Sequence, residues 1–172
     1  MQQDYRRGVV LSHTEREDLV EIVGDLTIPY RETCENYVRS MTFVPNDGEC
    51  GTFTVKDTVT AHDASYIKQF HIHCQKEPKR IDDRQFVIEN EGGILHCTVL
   101  EPKNCDISFI GGPNNEFSLN GINHPRNQKQ LHGGINPNDG TKDEGGWGRI
   151  TITALDHTKE TCFHIQFVLG NR

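Results

Sequence analysis

Two histidines, His71 and His73, have the clearest spacing for chemistry in this chain of 172 residues. They belong to an alternating stretch, and residues i and i+2 of a β-strand project from the same face. Both imidazoles could therefore reach one divalent metal ion, with a third ligand from a neighbour such as His96 or an acidic side chain. The pattern predicts a metal site at His71 and His73. The alternative is two histidines with ordinary hydrogen bonds on a half-solvated sheet face.

A second candidate site surrounds the single tryptophan, Trp147. Sugar rings pack on exposed aromatic faces, and planar polar side chains bind their hydroxyl groups. Asn123, His124 and Arg126 stand at one end of the polar stretch 124–146, and Trp147 stands at its other end. These four residues form the predicted carbohydrate-binding site. The alternative is that Trp147 packs inward, because a regular alternating strand follows it.

Other catalytic patterns are missing from the sequence. No nucleophilic triad, phosphate-binding glycine loop or EF-hand loop occurs, and the polar segment 136–140 lacks EF-hand spacing. The tyrosines are interpreted as isolated core or edge aromatics rather than as acids or bases. No catalytic residue and no cofactor besides the candidate metal are predicted. The four tyrosines are Tyr5, Tyr30, Tyr37 and Tyr66.

Composition and charge restrict the class of protein. A hydrophobic content of 34% with 16 glycines suits a loop-rich sheet protein. A net charge of −7 argues against nucleic acid as a partner, since such binding needs many Lys and Arg residues. The sequence contains no apolar run of roughly 18 residues, so no membrane span is predicted. No signal peptide is visible. The six cysteines lack a CxxC pair and are expected to be reduced core residues, or else to pair in part.

Short strands separated by turn residues must position these side chains. The clearest alternation with period two covers residues 150–154 and 163–169. Between residues 89 and 125, turn residues separate three further strands. In total about eleven strands and no major helix are predicted. The expected fold is an all-β antiparallel sandwich of two packed sheets, a single domain over 1–172 with a long polar loop at about 124–146.

The order and spacing of several motifs resemble the C-terminal β-rich region of heparinase II/III-like polysaccharide lyases. Residues 110–114 (IGGPN) are similar to the family's isoleucine-Gly-Gly-Pro-Gly turn. Residues 117–125 resemble its Phe-x-x-Asp-Gly-x-Asn-Tyr-Pro segment, and 147–152 its Trp-x-Arg strand. Asn120 and His124 depart from the family, which has Asp and Tyr at these places.

Upstream motifs extend the resemblance over nearly the whole chain. Residues 24–30 (GDLTIPY) resemble a Gly-Asp-(Ala/Leu)-Thr-x-x-Tyr segment of the family. The strand that carries Arg39 is similar to a family strand, and Asp57 and His73 stand at the family's Asp and His positions. The resemblance therefore implies the same β-sandwich architecture as the residue patterns.

The resemblance implies a function for the chain as part of a larger protein. It would be a non-catalytic module that supports an upstream catalytic domain of the same parent chain and contacts acidic polysaccharide. The parent would be periplasmic or extracellular. The family's groups for uronate β-elimination lie in a helical toroid and an early part of the β region, so no catalytic residue is transferred here. Whether this chain alone is an enzyme stays open.

Two alternatives are kept beside this hypothesis, and each makes a different structural prediction. A lyase module should leave a large apolar patch where the toroid would dock. A stand-alone carbohydrate-binding module should present an exposed aromatic platform. A small enzyme with a metal at His71 and His73 should retain the ion on purification.

Overall fold

The computed structural model describes residues 7–46, 50–90, 92–119, 121–123 and 147–170. These residues form thirteen strands and one helix of a single turn, α1 (Thr27–Tyr30). The strands are β1 (Val9–Arg16), β2 (Leu19–Asp25), β3 (Cys34–Pro45), β4 (Gly51–Ala61), β5 (Gln69–Cys74), β6 (Lys79–Arg80), β7 (Gln85–Asn90), β8 (Gly93–Glu101), β9 (Cys105–Gly111), β10 (Ser118–Leu119), β11 (Ile122–Asn123), β12 (Gly148–Ala154) and β13 (Glu160–Gly170).

The strands pair into two packed antiparallel sheets and a hairpin. The large sheet has eight strands in the order β1-β2-β3-β4-β13-β8-β7-β6, and the small sheet has three in the order β5-β12-β9. Strands β10 and β11 pair with each other. Phe70 of the small sheet contacts Phe163 of the large sheet, with ring centroids 6.0 Å apart. The predicted all-β antiparallel sandwich is therefore confirmed.

Alternation along β12 shows why these residues form strands with one buried face. Ile150 and Ile152 are fully buried in the core, where they meet the inner face of the large sheet. Arg149, Thr151 and Thr153 alternate with them and therefore project from the opposite side of the small sheet. β-branched side chains suit such a pleated surface.

A row of cross-strand neighbours shows which part of the large sheet the small sheet covers. Exposure falls along this row from 39% at Phe43 and 37% at Phe53 to 7% at Phe167 and 1% at Phe86. We call β13, β8 and β7 the covered half of the large sheet and β1, β2 and β3 the open half, with β4 at the border. The full row is Val20, Phe43, Phe53, Phe167, Cys97 and Phe86.

Several strand boundaries differ from the prediction. The sequence predicts a short strand over 8–11 followed by a charged turn, but β1 continues to Arg16. The reason is that β1 is an exposed edge strand, which pairs with β2 and needs no apolar alternation. The alternating stretch 65–74, which carries His71 and His73, predicts one strand, but the strand begins only at Gln69. Asp63 accepts hydrogen bonds from the backbone and hydroxyl of Ser65 and forms a turn before it. The two-residue strands β6 and β11 were not predicted. The predicted loop 124–146 lies outside the described residues.

The cysteines and the helix complete the fold. All six cysteines are free, and Cys34, Cys74 and Cys97 are buried, as expected for reduced core residues. Cys50, Cys105 and Cys162 are only half-buried. In the described part of the chain, no helix has the length and apolar character needed to cross a membrane.

Candidate functional site

His71 and His73 both project from the outer side of β5, as their spacing predicts. The pairing of β5 with β12 places His71 beside Thr151 and His73 beside Arg149. The Nδ1 atom of His71 lies 3.2 Å from Oγ1 of Thr151, within hydrogen-bond distance. The ring of His73 stacks on Phe117, with centroids 5.5 Å apart and planes 12° from parallel. Each imidazole is thus held by one neighbour.

The predicted metal site requires a third ligand near these two histidines. Within the described ranges, no three His, Cys, Asp or Glu side chains are grouped so that they could hold an ion. His96 lies on β8, which belongs to the large sheet. Burial, followed by the charge of Arg149, lowers the pKa of His71 and favours its neutral form. The metal site at His71 and His73 stays a prediction.

Trp147 precedes β12 and lies across Gly111 at one end of the sandwich. A Cβ atom at Gly111 would stand 2.6 Å from Cδ2 and Cε3 of the indole, so no larger residue fits there without a shift. The backbone N–H of Trp147 donates to the carbonyl of Cys74 (2.9 Å), and its carbonyl accepts from Gly112 (2.8 Å). The half-buried indole also packs against the core. This packing favours the interpretation of Trp147 as a core residue, and its role as a sugar platform stays a prediction.

Asn123 uses both of its polar side-chain atoms within the β10–β11 region. Its Oδ1 accepts from the backbone N–H of Phe117, and its Nδ2 donates to Oε2 of Glu116, each at 3.0 Å. Asn123 therefore orients the segment whose Phe117 ring stacks on His73. His124 and Arg126, the other predicted carbohydrate ligands, lie outside the described residues.

A cleft of about 570 Å³ opens at the other end of β5, near Gln69. Three tyrosines line it, and we call it the tyrosine cleft. Tyr30 and Tyr66 are 49% and 43% exposed, and the ring of Tyr30 lies 5.0 Å from that of the half-buried Tyr37. Its floor is apolar and consists of Cys34, Val59, Ala61 and Phe163.

The buried Asp57 lines the tyrosine cleft together with Tyr37, and it forms an ion pair with Arg39, whose side chain is 33% exposed. Asp57 is 2% exposed and accepts two hydrogen bonds from Arg39, both at 2.6 Å. It also accepts one from the hydroxyl of Tyr37 at 2.8 Å, and Arg39 donates a further bond to that hydroxyl at 2.9 Å. This bidentate geometry satisfies the buried carboxylate. Burial and the charge of Asp57 raise the pKa of Tyr37, so its hydroxyl stays protonated as a donor.

Lys68 holds two backbone segments at the edge of the tyrosine cleft. It is 8% exposed, and its Nζ donates to the carbonyl oxygens of Tyr66 (3.0 Å) and Thr158 (2.6 Å). The ammonium therefore ties the turn that carries Tyr66 to the connection between β12 and β13. This tie holds the exposed Tyr66 ring at the edge of the cleft.

The described groups of the tyrosine cleft offer ring contacts and hydrogen bonds to a ligand. The carboxylate of the cleft is engaged by Arg39 and Tyr37, and no described nucleophile is paired there with a base. No described residue hydrogen-bonds to the hydroxyls of Tyr30 and Tyr66. Two exposed rings with available hydroxyls above an apolar floor suit a flat ligand that carries polar groups, such as a sugar ring.

Sequence reasoning treated these tyrosines as isolated and missed the cleft. A signal was available, because Tyr30, Arg39 and Asp57 all belong to segments that resemble the lyase family. The register of β3 and β4 brings them together by pairing Arg39 directly with Asp57. Spacing along the chain alone could not show this, since the two residues are separated by a hairpin.

Comparison with known proteins shows the fold. No protein-family model matches the chain, and no curated protein matches its sequence. Two solved structures of heparinase III match its structure: one, with methylated lysines, at a TM-score of 0.59 and 13% identity, and another at 0.55 and 12%. Each match covers 94% of this chain and 21% of the heparinase III chain. The chain therefore has the β-sandwich fold of a domain-sized part of heparinase III and spans about a fifth of that protein's length.

Proposed function

We propose that this chain is a non-catalytic C-terminal β-sandwich module of a heparinase II/III-like polysaccharide lyase. In this proposal it supports the upstream catalytic domain of its parent chain, contacts acidic glycan, and acts in the periplasm or outside the cell. The observation that carries the proposal is the open half of the large sheet. A fold that matches about a fifth of heparinase III agrees with the role of one module among several.

The inner faces of β2, β3 and the border strand β4 carry an apolar patch that lacks a covering sheet among the described residues. Polar side chains adjoin this patch, namely Arg39 of β3 and His13 and Glu15 of the edge strand β1. Phe43 and Phe53 are more than a third exposed, and Ile22 and Met41 are only half-buried. The opposite face of β4 is polar, so the apolar residues are not distributed at random. That face carries Thr52, Thr54, Lys56, Thr58 and Thr60. Apolar surface of this kind marks a docking site, and the rest of the parent chain is the proposed occupant.

The absence of catalysis is supported by the state of the polar groups in the tyrosine cleft. The carboxylate of Asp57 is paired with Arg39. The pKa of Tyr37 is raised, so the hydroxyl of Tyr37 keeps its proton at neutral pH. A base for the C5 proton of a uronate would need a group that can release its own proton or accept another. Neither group meets this requirement, so a supporting and binding role fits the cleft better.

The module role is tested by the mass of the native protein in its source cells. An antibody against this chain should detect a band several times heavier than 19.5 kDa. Fractionation of the same cells should place that band in the periplasm or the medium. A native band at 19.5 kDa would contradict the module role.

Glycan contact is tested by calorimetric titration with uronate-containing oligosaccharides. Loss of one stacking ring costs about 0.5–1.5 kcal/mol, so Tyr30→Ala and Tyr66→Ala should each weaken binding about three- to tenfold. Ile81→Ala is the matched control, because Ile81 is 61% exposed and does not line the cleft. Equal affinities for all three variants and the wild type would exclude the cleft as the contact.

A stand-alone carbohydrate-binding module is the second candidate function. The exposed rings of Tyr30 and Tyr66 favour it, since such a module needs an aromatic platform. It predicts full glycan affinity without any partner and a native mass equal to that of this chain. The two candidates therefore differ in the native mass, while both require the cleft.

A further inference from the structure

The outer face of the small sheet carries a polar cluster centred on Arg149. Strand β12 is the middle strand, so Arg149 has His73 on one side and Ile110 on the other. The next outward residue, Thr151, lies between His71 and Ser108. Apart from Ile110, these residues bear polar groups, on a surface that faces away from the core.

Arg149 has an unsatisfied donor at the centre of this cluster. Its Nε atom is buried and has no hydrogen-bond partner. A buried unpaired donor has lost its hydrogen bonds to water without replacement, and this loss is more costly when the group is charged. No acidic side chain in the described ranges forms an ion pair with Arg149, although the chain contains 25 Asp and Glu residues and has a net charge of −7. Among the described residues, the half-buried guanidinium therefore lacks a counter-charge.

The groups around Arg149 are held in place by their own contacts. His73 is stacked on Phe117, and His71 lies within hydrogen-bond distance of the hydroxyl of Thr151. Thr151 is only 3% exposed although it faces outward. A ligand that reached Arg149 would therefore meet the imidazole of His73 in a fixed position, while the hydroxyl of Thr151 already lies within hydrogen-bond distance of His71.

We infer that Arg149 anchors a binding site for an oxyanion, a carboxylate or a sulfate group, on the outer face of the small sheet. The Nε–H and one Nη–H of a guanidinium match two oxygens of such a group in parallel. The bound oxygen would supply the acceptor that the buried Nε lacks. Where the oxyanion belongs to a sugar, the inference deepens the proposed contact with acidic glycan and rests on it. The site lies at a distance from the tyrosine cleft and uses different residues.

The inference is tested by NMR of the arginine Nε–H groups during titration with sodium sulfate, glucuronate and glucose. Sulfate or glucuronate should move the Arg149 Hε resonance, and neutral glucose should leave it unchanged. The exposed Arg16, which is paired with Asp18 at 3.1 Å, serves as the internal control and should not shift. Tighter binding of glucuronate identifies a sugar as the source of the oxyanion, and tighter binding of sulfate identifies the free anion.

Two variants make the test specific. Arg149→Lys keeps the charge but loses the Nε–H, and Arg149→Gln also loses the charge. Since a hydrogen bond to a charged group contributes about 1.5–3 kcal/mol, both should weaken binding of the preferred anion at least tenfold, whereas Arg16→Gln should not. An unmoved Arg149 Hε with both anions, or unchanged affinity in Arg149→Lys, would overturn the inference.

The outcome can be separated from that of the proposed function. Sulfate has no sugar ring, so its binding at Arg149 is independent of the tyrosine cleft. If Tyr30→Ala and Tyr66→Ala have no effect on glycan binding while the Arg149 Hε still responds to sulfate, the oxyanion site stands and the cleft contact fails. Should Arg149→Gln fail to fold, the wild-type resonance and Arg149→Lys still decide the question.

Discussion

The two halves of the large sheet share one hydrogen-bonded ladder but differ in what lies against their inner faces. In the covered half, Ile165 and Val99 pack against the small sheet and are fully buried. In the open half, their row continues through Met41 to Ile22, which are only half-buried, and the neighbouring row passes through the exposed Phe43 to Val20. The alternation of apolar residues extends from the covered half into β2 and β3, whereas the edge strand β1 lacks it. The alternation shows which face is apolar, but it does not show whether a second layer covers that face.

Because of this difference, the two halves should contribute unequally to the stability of the chain and to its association with a partner. Residues of the covered half should hold the isolated chain together, because their burial is complete within it. Residues of the open half should contribute less to folding and more to contact with a partner layer. Substitutions in the two halves therefore test this difference.

The largest effect is expected in the covered half. Ile165→Ala removes a fully buried side chain at the centre of the sandwich. It should lower the free energy of unfolding by about 4 kcal/mol, through lost burial and the cavity that remains. Urea denaturation measures this change. A loss below about 1 kcal/mol would mean that the covered half is not the core of the isolated chain.

A slightly smaller effect is expected at the border between the halves. Asp57→Ala removes the acceptor for Arg39 and Tyr37 and leaves the arginine without a counter-charge. Because breaking such a pair costs about 3–5 kcal/mol when both partners are buried, and Arg39 is one-third exposed, we expect about 3 kcal/mol. Thr58→Ala, the outward neighbour on β4, is the control and should change the stability little. Similar losses for both variants would refute the role of the ion pair.

The open half should tolerate truncation. Phe43 is 39% exposed and has no covering layer among the described residues. Phe43→Ala should therefore lower the free energy of unfolding of this chain by only about 1–2 kcal/mol, well below the full cost of a buried phenylalanine. The same urea titration as for Ile165→Ala gives the comparison. Equal losses in the two variants would show that the halves do not differ.

The smallest effect concerns stability at alkaline pH. The pKa of Tyr37 is raised in the folded chain, chiefly by burial and then by the charge of Asp57, above its ordinary value of 10.0. Above pH 10 the unfolded chain therefore releases this proton while the folded chain retains it, so stability falls as pH rises. Tyr37→Phe should flatten this alkaline loss. Thermal unfolding between about pH 9 and 11 measures it, and an unchanged slope would contradict the assignment.

Those parts of the fold could be predicted whose apolar alternation lies within a single strand. The alternation of 150–154 and 163–169 identified β12 and β13, since each buries most of one face. The two-residue strands β6 and β11 carry no such pattern, and only their partners define them. The spacing of His71 and His73 also lies within one strand, and both side chains project outward as this spacing predicts. Strand register, in contrast, is a property of pairs and cannot be read from one segment.

Prediction of the candidate sites was limited in the same way, because contacts between strands cannot be read from one segment. Trp147 and Asn123 were predicted as sugar ligands by type and position. Packing on Gly111 and a hydrogen bond to Glu116 hold them in place, and their role as sugar ligands stays a prediction. The tyrosine cleft and the orphan donor of Arg149 depend on several strands at once. Both required the register of the sheets, which brings distant residues such as Tyr30 and Tyr66 to one surface.

The central claim, that another part of the native protein covers the open half, can be tested by photocrosslinking in the source cells. A photoreactive phenylalanine analogue would replace Phe43 on the open half or Thr58 on the outward face of β4. The account predicts that position 43 forms crosslinks to peptides outside residues 1–172, and that position 58 forms few. Equal and low yields at both positions would show that the open half faces solvent in the native protein, and would contradict the account.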